Sequence, residues 1–262
     1  MTVMNNADRE KMRALLRNLV IAVSVILIAQ LIFKILVVPR IVLKKIQVQS
    51  EVSLSDGDIY SLAGIDKGEY YYNIFPDEIK MRLEEYPEVR KASVEKVFPD
   101  KLQLYLYARK AVALALLNIE EKSVPVAIDN QGVVFNSGKD MESWDLPVIT
   151  GIRFATLNLG AELPEALMPL LKDLKVLQSR EPELFNLLSE IRVERRGERG
   201  FDLILFLHSY PIRARIGNEL DGHVLTNIIM VFDVLEKQKL TEKIGEVDFR
   251  TKEIIYRLRE EV

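Results

Sequence analysis

The 262-residue sequence contains no cysteine, two histidines and a single tryptophan. Without cysteine there is no disulfide framework, no thiol nucleophile and no thiolate-ligated metal. His208 and His223 cannot build a multi-histidine centre by themselves, so neither a metal site nor a cofactor is expected. An excess of either charge is also missing: 36 Lys and Arg stand against 39 Asp and Glu, a net charge of −3. That balance hides a division along the chain. Residues 1–45 hold eight basic and two acidic side chains, whereas the remaining 217 hold 28 basic and 37 acidic. So acidic a body is ill suited to neutralising phosphates, which argues against nucleic-acid binding.

What is present is one long apolar run, Leu19–Val38, of 20 residues. As a helix it would be about 30 Å long, the thickness of a bilayer's hydrocarbon core. A cleaved signal peptide would have a shorter apolar stretch and small residues at its exit; this run leads into Val37-Val38-Pro39-Arg40. An uncleaved, single-pass anchor is therefore expected. Four Lys or Arg precede the run (Arg9, Lys11, Arg13, Arg17) and three follow it (Arg40, Lys44, Lys45), a small bias toward a cytoplasmic N-terminus. Ser24 can bond back to its own helix, and Lys34 can snorkel from the last turn. Gln30 and Lys34 share one helix face, a polar stripe that suits contact with a partner's transmembrane helix.

Residues 41–113 show a compact alternation. Ile46 and Val48 mark a short strand. Ser55 precedes Asp58 by three, a capping pair, and the stripe Ile59, Leu62, Ala63 stops at Gly64. Pro76 suits the first position of a second helix, with Asp77 and Glu78 in its first turn, Ile79, Leu83 and Tyr86 inward, and Pro87 beyond its end. Strands Arg90–Val97 and Leu102–Tyr107 follow across a Phe98-Pro99-Asp100 turn, the second alternating Leu102, Leu104 and Leu106 with polar neighbours. The order is β-α-α-β-β.

Beyond residue 113, strands are expected at Ala113–Leu117, Val124–Asp129 and Val133–Phe135, around an Asn130-Gln131-Gly132 turn. A helix carries Leu167, Leu170, Leu171, Leu174 and Leu177, and Pro169 must start it or kink it. Pro182 opens a short helix with Leu184, Phe185, Leu187 and Leu188. Strands Ile191–Arg196, Phe201–Leu207 and Ile212–Ile216 read as a meander, followed by a helix over Asp221–Gln238. Strands Gly245–Arg250 and Glu253–Arg259 close the chain. Between the first two meander strands, Arg195-Arg196-Gly197-Glu198-Arg199-Gly200 reads as a solvated hairpin tip. The fold class is α+β: a tail (1–18), an anchor (19–38), a first domain (41–112) and a second α+β domain (113–262) with a mostly antiparallel sheet.

No catalytic constellation emerges. Ser93-Val94-Glu95-Lys96 matches the S-x-x-K of penicillin-binding proteins, but that chemistry needs a helix start, and in a strand positions three apart point to opposite faces. His208 and Ser209 are adjacent and cannot form a base–nucleophile contact. Gly64 and Gly68 lack the Lys-Ser/Thr of a phosphate-binding loop. The chain is expected not to be an enzyme and to have no small-molecule substrate.

A set of short motifs runs in order along the chain: Leu54-Ser55 with Asp58-Ile59, Gly64-Ile65 with Gly68, and Pro87-x-Val89-x-x-Ala92-x-Val94 running into Phe98-Pro99-x-x-Leu102. It continues through Asp129-Asn130-Gln131-Gly132-Val133-Val134-Phe135, Leu146-Pro147 with Gly151, and Val247-Asp248-x-Arg250. In these motifs the sequence resembles the FtsQ/DivIB family of bacterial cell-division proteins. Where the family shows Glu-Arg-x-Pro-Val-Ala, this chain has Ala108-Arg109-Lys110-Ala111-Val112-Ala113. The resemblance implies that residues 41–112 form a POTRA domain. It also implies a divisome scaffold in the cytoplasmic (inner) membrane, acting at the septum with partners of the FtsB/FtsL type and other division proteins. The final strand would capture a partner by strand addition, a role carried to Arg250, Ile254, Ile255, Tyr256, Arg257 and Leu258. Two other readings are a POTRA-bearing component of outer-membrane assembly or secretion and a membrane-anchored cell-wall enzyme.

Overall fold

In the computed structural model, residues 6–36, 41–119, 122–137, 145–152, 159–197, 200–251 and 253–259 are described. Helix α1 (Asn6–Leu36) contains a 21-residue apolar stretch, Leu15–Ile35, with a mean hydropathy of 2.3 and no buried share. That stretch suits a lipid surround, because a soluble helix apolar on every face would have to be buried. Ser24 Oγ donates to the Val20 carbonyl at 2.8 Å, satisfying its hydroxyl within the helix. The end of the expected span, residues 37 and 38, lies outside the described residues, as do Glu198 and Arg199 of the expected hairpin tip.

Two compact units divide the chain: Met1–Glu84 with Lys91–Tyr107, and Glu85–Arg90 with Ala108–Val262. In the first, β1 (Lys45–Ser50), α2 (Asp56–Ala63), α3 (Pro76–Glu84), β2 (Val89–Val97) and β3 (Lys101–Ala108) give the expected order. The sheet runs β1-β3-β2, with β1 parallel to β3. Ser55 caps α2: its Oγ accepts from the Asp58 N–H at 3.2 Å and donates to Asp58 Oδ2 at 2.6 Å. Gly64 ends α2 in a left-handed conformation (φ 61°), which a Cβ would disfavour. Ile59, Ala63, Ile79 and Leu83 from the helices are buried, as are Leu102, Leu104 and Leu106 on alternate positions of β3. Tyr86 is only half-buried and falls in the second unit.

The second unit is built on a nine-stranded sheet. In chain order its strands are β4 (Ala111–Ile119), β5 (Lys122–Asp129), β6 (Val134–Ser137), β7 (Val148–Thr150), β8 (Leu188–Arg196), β9 (Gly200–Leu207), β10 (Arg213–Ile216), β11 (Ile244–Asp248) and β12 (Ile255–Leu258). Their spatial order is β12-β11-β10-β9-β8-β7-β4-β5-β6. Five neighbouring pairs are antiparallel; β10–β11, β7–β8 and β4–β7 are parallel. The three-residue β7 was not anticipated: with so few residues it offers no periodicity to read. Its exit is tight. Gly151 has φ 81°, and a Cβ there would lie 2.3 Å from the Val193 carbonyl oxygen.

Parallel neighbours need long crossovers. Helices α4 (Met168–Arg180) and α5 (Pro182–Phe185) connect β7 to β8, and α6 (Gly222–Lys237) connects β10 to β11. Pro169 lies in the first turn of α4, so it starts the helix and does not kink it. Leu188, expected in a helix, is the first residue of β8. Leu170, Leu171, Leu174 and Leu177 of α4 and Leu225, Ile228 and Phe232 of α6 share one core with Ile191, Leu203, Leu205, Ala214 and Val247. The register puts those five strand residues on one face of the sheet.

At the start of this unit, Arg109 donates from Nε to the Pro87 carbonyl (2.8 Å) and from Nη1 to Asp129 Oδ2 (2.7 Å). Asp129 Oδ1 accepts from the Gln131 and Val133 N–H groups, both at 2.9 Å. The Asp129-Asn130-Gln131-Gly132 motif is thus an Asp-capped turn whose carboxylate is also neutralised.

Candidate functional site

Alternate residues of β8 to β11 face away from the helices, and this second face carries charge. Glu190, Arg192 and Glu194 come from β8, Asp202 from β9, Arg213 and Arg215 from β10, and Glu246 and Asp248 from β11. Four of them, Asp202, Arg215, Glu246 and Asp248, are buried. Charges survive burial only when paired. Arg215 donates from Nε to Glu246 Oε1 and from Nη1 to Glu194 Oε2, each at 2.7 Å. The Glu246 bond is the main cause holding the Arg215 guanidinium above the ordinary arginine range. Ile204 pairs with Arg215 and Arg192 across the ladders and is 1% exposed, and Arg192 also lies over the Phe206 ring, 4.9 Å from its centre. The stems of the long side chains serve here as the second apolar layer.

Arg250, just past β11, belongs to this lattice. It donates from Nε to Asp248 Oδ1 at 2.9 Å and from Nη1 to Asp202 Oδ2 at 2.7 Å. Its Nη2 also bonds Asp248. The guanidinium therefore links the turn after β11 to β9. The bond from Arg250 is the leading cause that holds the Asp248 carboxyl below the usual carboxylate range. Charge reversal at Arg250 would set a third carboxylate beside Asp248 and Asp202, so the residue fixes the turn as well as presenting charge.

Strand β12 ends the sheet. It pairs with β11 through Asp248–Ile255, Val247–Tyr256, Glu246–Arg257 and Ile244–Leu258, with a bulge at Gly245. Among the described residues no strand covers its outer edge. Every residue of β12 is exposed on both faces: Ile255 to 54%, Tyr256 to 60% and Leu258 to 66%, with Ile254 before them at 50%. Arg257 lies 3.7 Å from Glu246, and Arg259 Nη2 donates to the Pro211 carbonyl at 2.8 Å. The structure thus brings five of the anticipated residues into one bare edge, with Arg250 at the turn leading to it. Gln30 and Lys34 are elsewhere, exposed on α1 in the first unit.

The buried Asp202, Arg215, Glu246 and Asp248 were missed from sequence. Their only signal is period two, Arg213/Arg215 and Glu246/Asp248, which announces a polar face but not its pairings. The other suspected chemistry has structural employment. Lys96 Nζ donates to the Ile74 carbonyl at 3.0 Å and sits 4.6 Å over the Tyr71 ring. Among the described residues no group of three or more His, Cys, Asp or Glu could hold a metal ion.

The family model for the POTRA domain of FtsQ type matches residues 42–107. These residues are an FtsQ-type POTRA domain. The chain is also similar to two proteins named cell division protein FtsQ. That of Geobacter sp. (strain M21) is 24% identical over 217 residues, 81% of this chain and 75% of that one. That of Geotalea daltonii is 23% identical over 214 residues, 81% and 74% of the two chains. Similarity extends to cell division protein DivIB of Geobacillus kaustophilus, 24% identical over 144 residues, 53% of this chain and 54% of that one. The match therefore runs well past the FtsQ-type POTRA domain, across much of a chain that also has one apolar N-terminal helix.

Proposed function

We propose that this protein is a membrane-anchored, non-enzymatic scaffold of the bacterial division machinery. Its tail (1–18) lies in the cytoplasm, its anchor (19–38) crosses the cytoplasmic membrane once, and residues 41–112 and 113–262 work outside it at the division septum. Bare strand β12 captures a division protein of the FtsB/FtsL type by adding that partner's strand to the nine-stranded sheet, and through it the scaffold helps coordinate septal peptidoglycan synthesis. The observation that carries this reading is the open edge: Ile255, Tyr256 and Leu258 are more than half exposed on a strand whose outer hydrogen-bonding groups no described strand meets. Main-chain bonds supply affinity, and the alternating side chains and Arg257 supply selectivity for an apolar, acidic segment. In the membrane, Gln30 and Lys34 offer polar contacts to a partner's helix.

The test is Tyr256→Pro in the full chain. The Arg259 N–H donates inward to the Lys243 carbonyl, so by alternation the Tyr256 N–H points to the outer edge. Proline at that position removes only an outward donor, so the domain stays folded while strand addition fails. Pull-down of the FtsB/FtsL-type partner should drop at least about tenfold, equivalent to ~1.4 kcal/mol, with circular dichroism unchanged. Undiminished capture by a folded variant would refute the edge as the binding site.

A further inference from the structure

The first unit also gathers aromatic side chains that no described core absorbs. Tyr70 is 54% exposed, Tyr72 42%, Phe75 58% and Phe98 63%. Tyr71, buried between them, has its ring centre 5.7 Å from that of Tyr72 and 6.4 Å from that of Phe98, both edge-on. Lys96 lies over Tyr71 and Tyr72. One end of the POTRA sheet carries all of these. Phe98 is in the turn between β2 and β3, and Lys45 of β1 pairs with Lys101 of β3 at that same end. The Lys44 and Lys45 N–H groups both bond the Asp100 carbonyl.

This is the end at which the chain arrives from the anchor. The Tyr71 N–H donates to the Ile41 carbonyl at 3.0 Å, the Leu43 N–H donates to the Glu69 carbonyl at 2.8 Å, and Val42 bridges Tyr70. Helix α1 reaches Leu36. Five residue steps from Leu36 to Ile41 span at most about 18 Å fully extended. The headgroup layer on one side of a bilayer is itself roughly 5–8 Å deep. The tether is thus too short to lift the aromatic end far from the lipid surface.

We propose that this end of the POTRA domain is seated in the lipid headgroup layer, with Tyr70, Tyr72, Phe75 and Phe98 at the boundary with the acyl chains. Tyrosine is favoured at that depth because its ring is apolar and its hydroxyl stays wet. Exposed Lys44 and Lys45 flank the ring cluster and favour anionic headgroups; Lys44 also pairs with Asp100 at 3.6 Å. Seating fixes the POTRA domain's orientation to the bilayer, which tether length alone does not set. This seating needs only the anchor and the POTRA domain, so it stands or falls separately from partner capture at β12.

The experiment uses the full chain in vesicles of phosphatidylethanolamine and phosphatidylglycerol, with brominated phosphatidylcholine as quencher. The single native tryptophan is removed by Trp144→Phe. Tyr72→Trp and Phe98→Trp then each replace one exposed aromatic by another, and Tyr107→Trp reports from the far end of β3. Quenching should be at least about twofold stronger at positions 72 and 98 than at 107. Equal quenching at all three overturns the proposal, and so does a water-exposed emission spectrum at 72 and 98, the outcome expected if the patch is kept for a protein partner. As a second measure on the unsubstituted chain, amide exchange at residues 70–75 should slow in lipid discs relative to a short-chain detergent; unchanged exchange also counts against it.

Discussion

The two edges of the nine-stranded sheet are treated differently. At one end, β6 is short and covered: Val134 is fully buried, its N–H bonds the Ala161 carbonyl at 2.9 Å, and its carbonyl accepts from Gly160 at 2.7 Å. Val133 bridges Glu162 beside it. At the other end β12 has no such cover among the described residues, and Ile255, Tyr256 and Leu258 face solvent. An uncovered apolar edge is an aggregation hazard that folds normally suppress. Among the described residues one edge is blunted by backbone and the other is bare, and the proposed strand capture rests on that asymmetry.

Proline separates the two edges most sharply. Val134→Pro removes a bonded N–H in a buried strand and should cost about 4 kcal/mol, read as a loss of stability in denaturant titration. Tyr256→Pro, which removes an outward N–H, should by contrast cost about 1 kcal/mol or less while lowering partner capture at least about tenfold. Equal costs would mean that β12 is held as firmly as β6. Next in size is Arg215→Met, which strips Glu246 of its closest cation. Because Arg213 and Arg257 remain 3.6 and 3.7 Å from that carboxylate, about 2–3 kcal/mol is expected, below the full cost of an orphaned buried charge. Amide exchange should then quicken in β11 and β12 before β6.

The smallest effect is that of acid. The Asp248 carboxyl is held below its usual range in the folded protein, chiefly by Arg250. The folded state therefore binds that proton more weakly than the unfolded chain does. The stabilisation is complete above the unfolded value of about 3.9 and is lost as pH falls through the folded value. Denaturant midpoints between pH 6 and pH 3 should decline less steeply in Asp248→Asn than in the parent. Identical slopes would show that Asp248 contributes nothing to acid sensitivity.

Much of the architecture was legible in local patterns. Ser55 and Gly64 mark the ends of α2, Pro169 starts α4, and Leu102, Leu104 and Leu106 declare a one-sided strand, because caps and periodicity act within a few residues. Strand β7 was not legible: three residues carry no period, and Gly151 is required by a carbonyl 42 positions away in the chain. At the candidate site, a closing strand within Glu253–Arg259 could be read directly. That Arg250 would spend its guanidinium on Asp248 and Asp202 could not.

The sequence by itself determined the apolar N-terminal helix, the β-α-α-β-β order and the one-sided alternation of strands such as β3, all of which follow from hydropathy and spacing along the chain. Only the tertiary structure decided which edge is covered, which carboxylate each arginine meets, and that Tyr70, Tyr72 and Phe98 gather where the chain arrives from the membrane. Those outcomes depend on strand order and register between distant segments, and a linear pattern carries the face of a residue but not the identity of its neighbour.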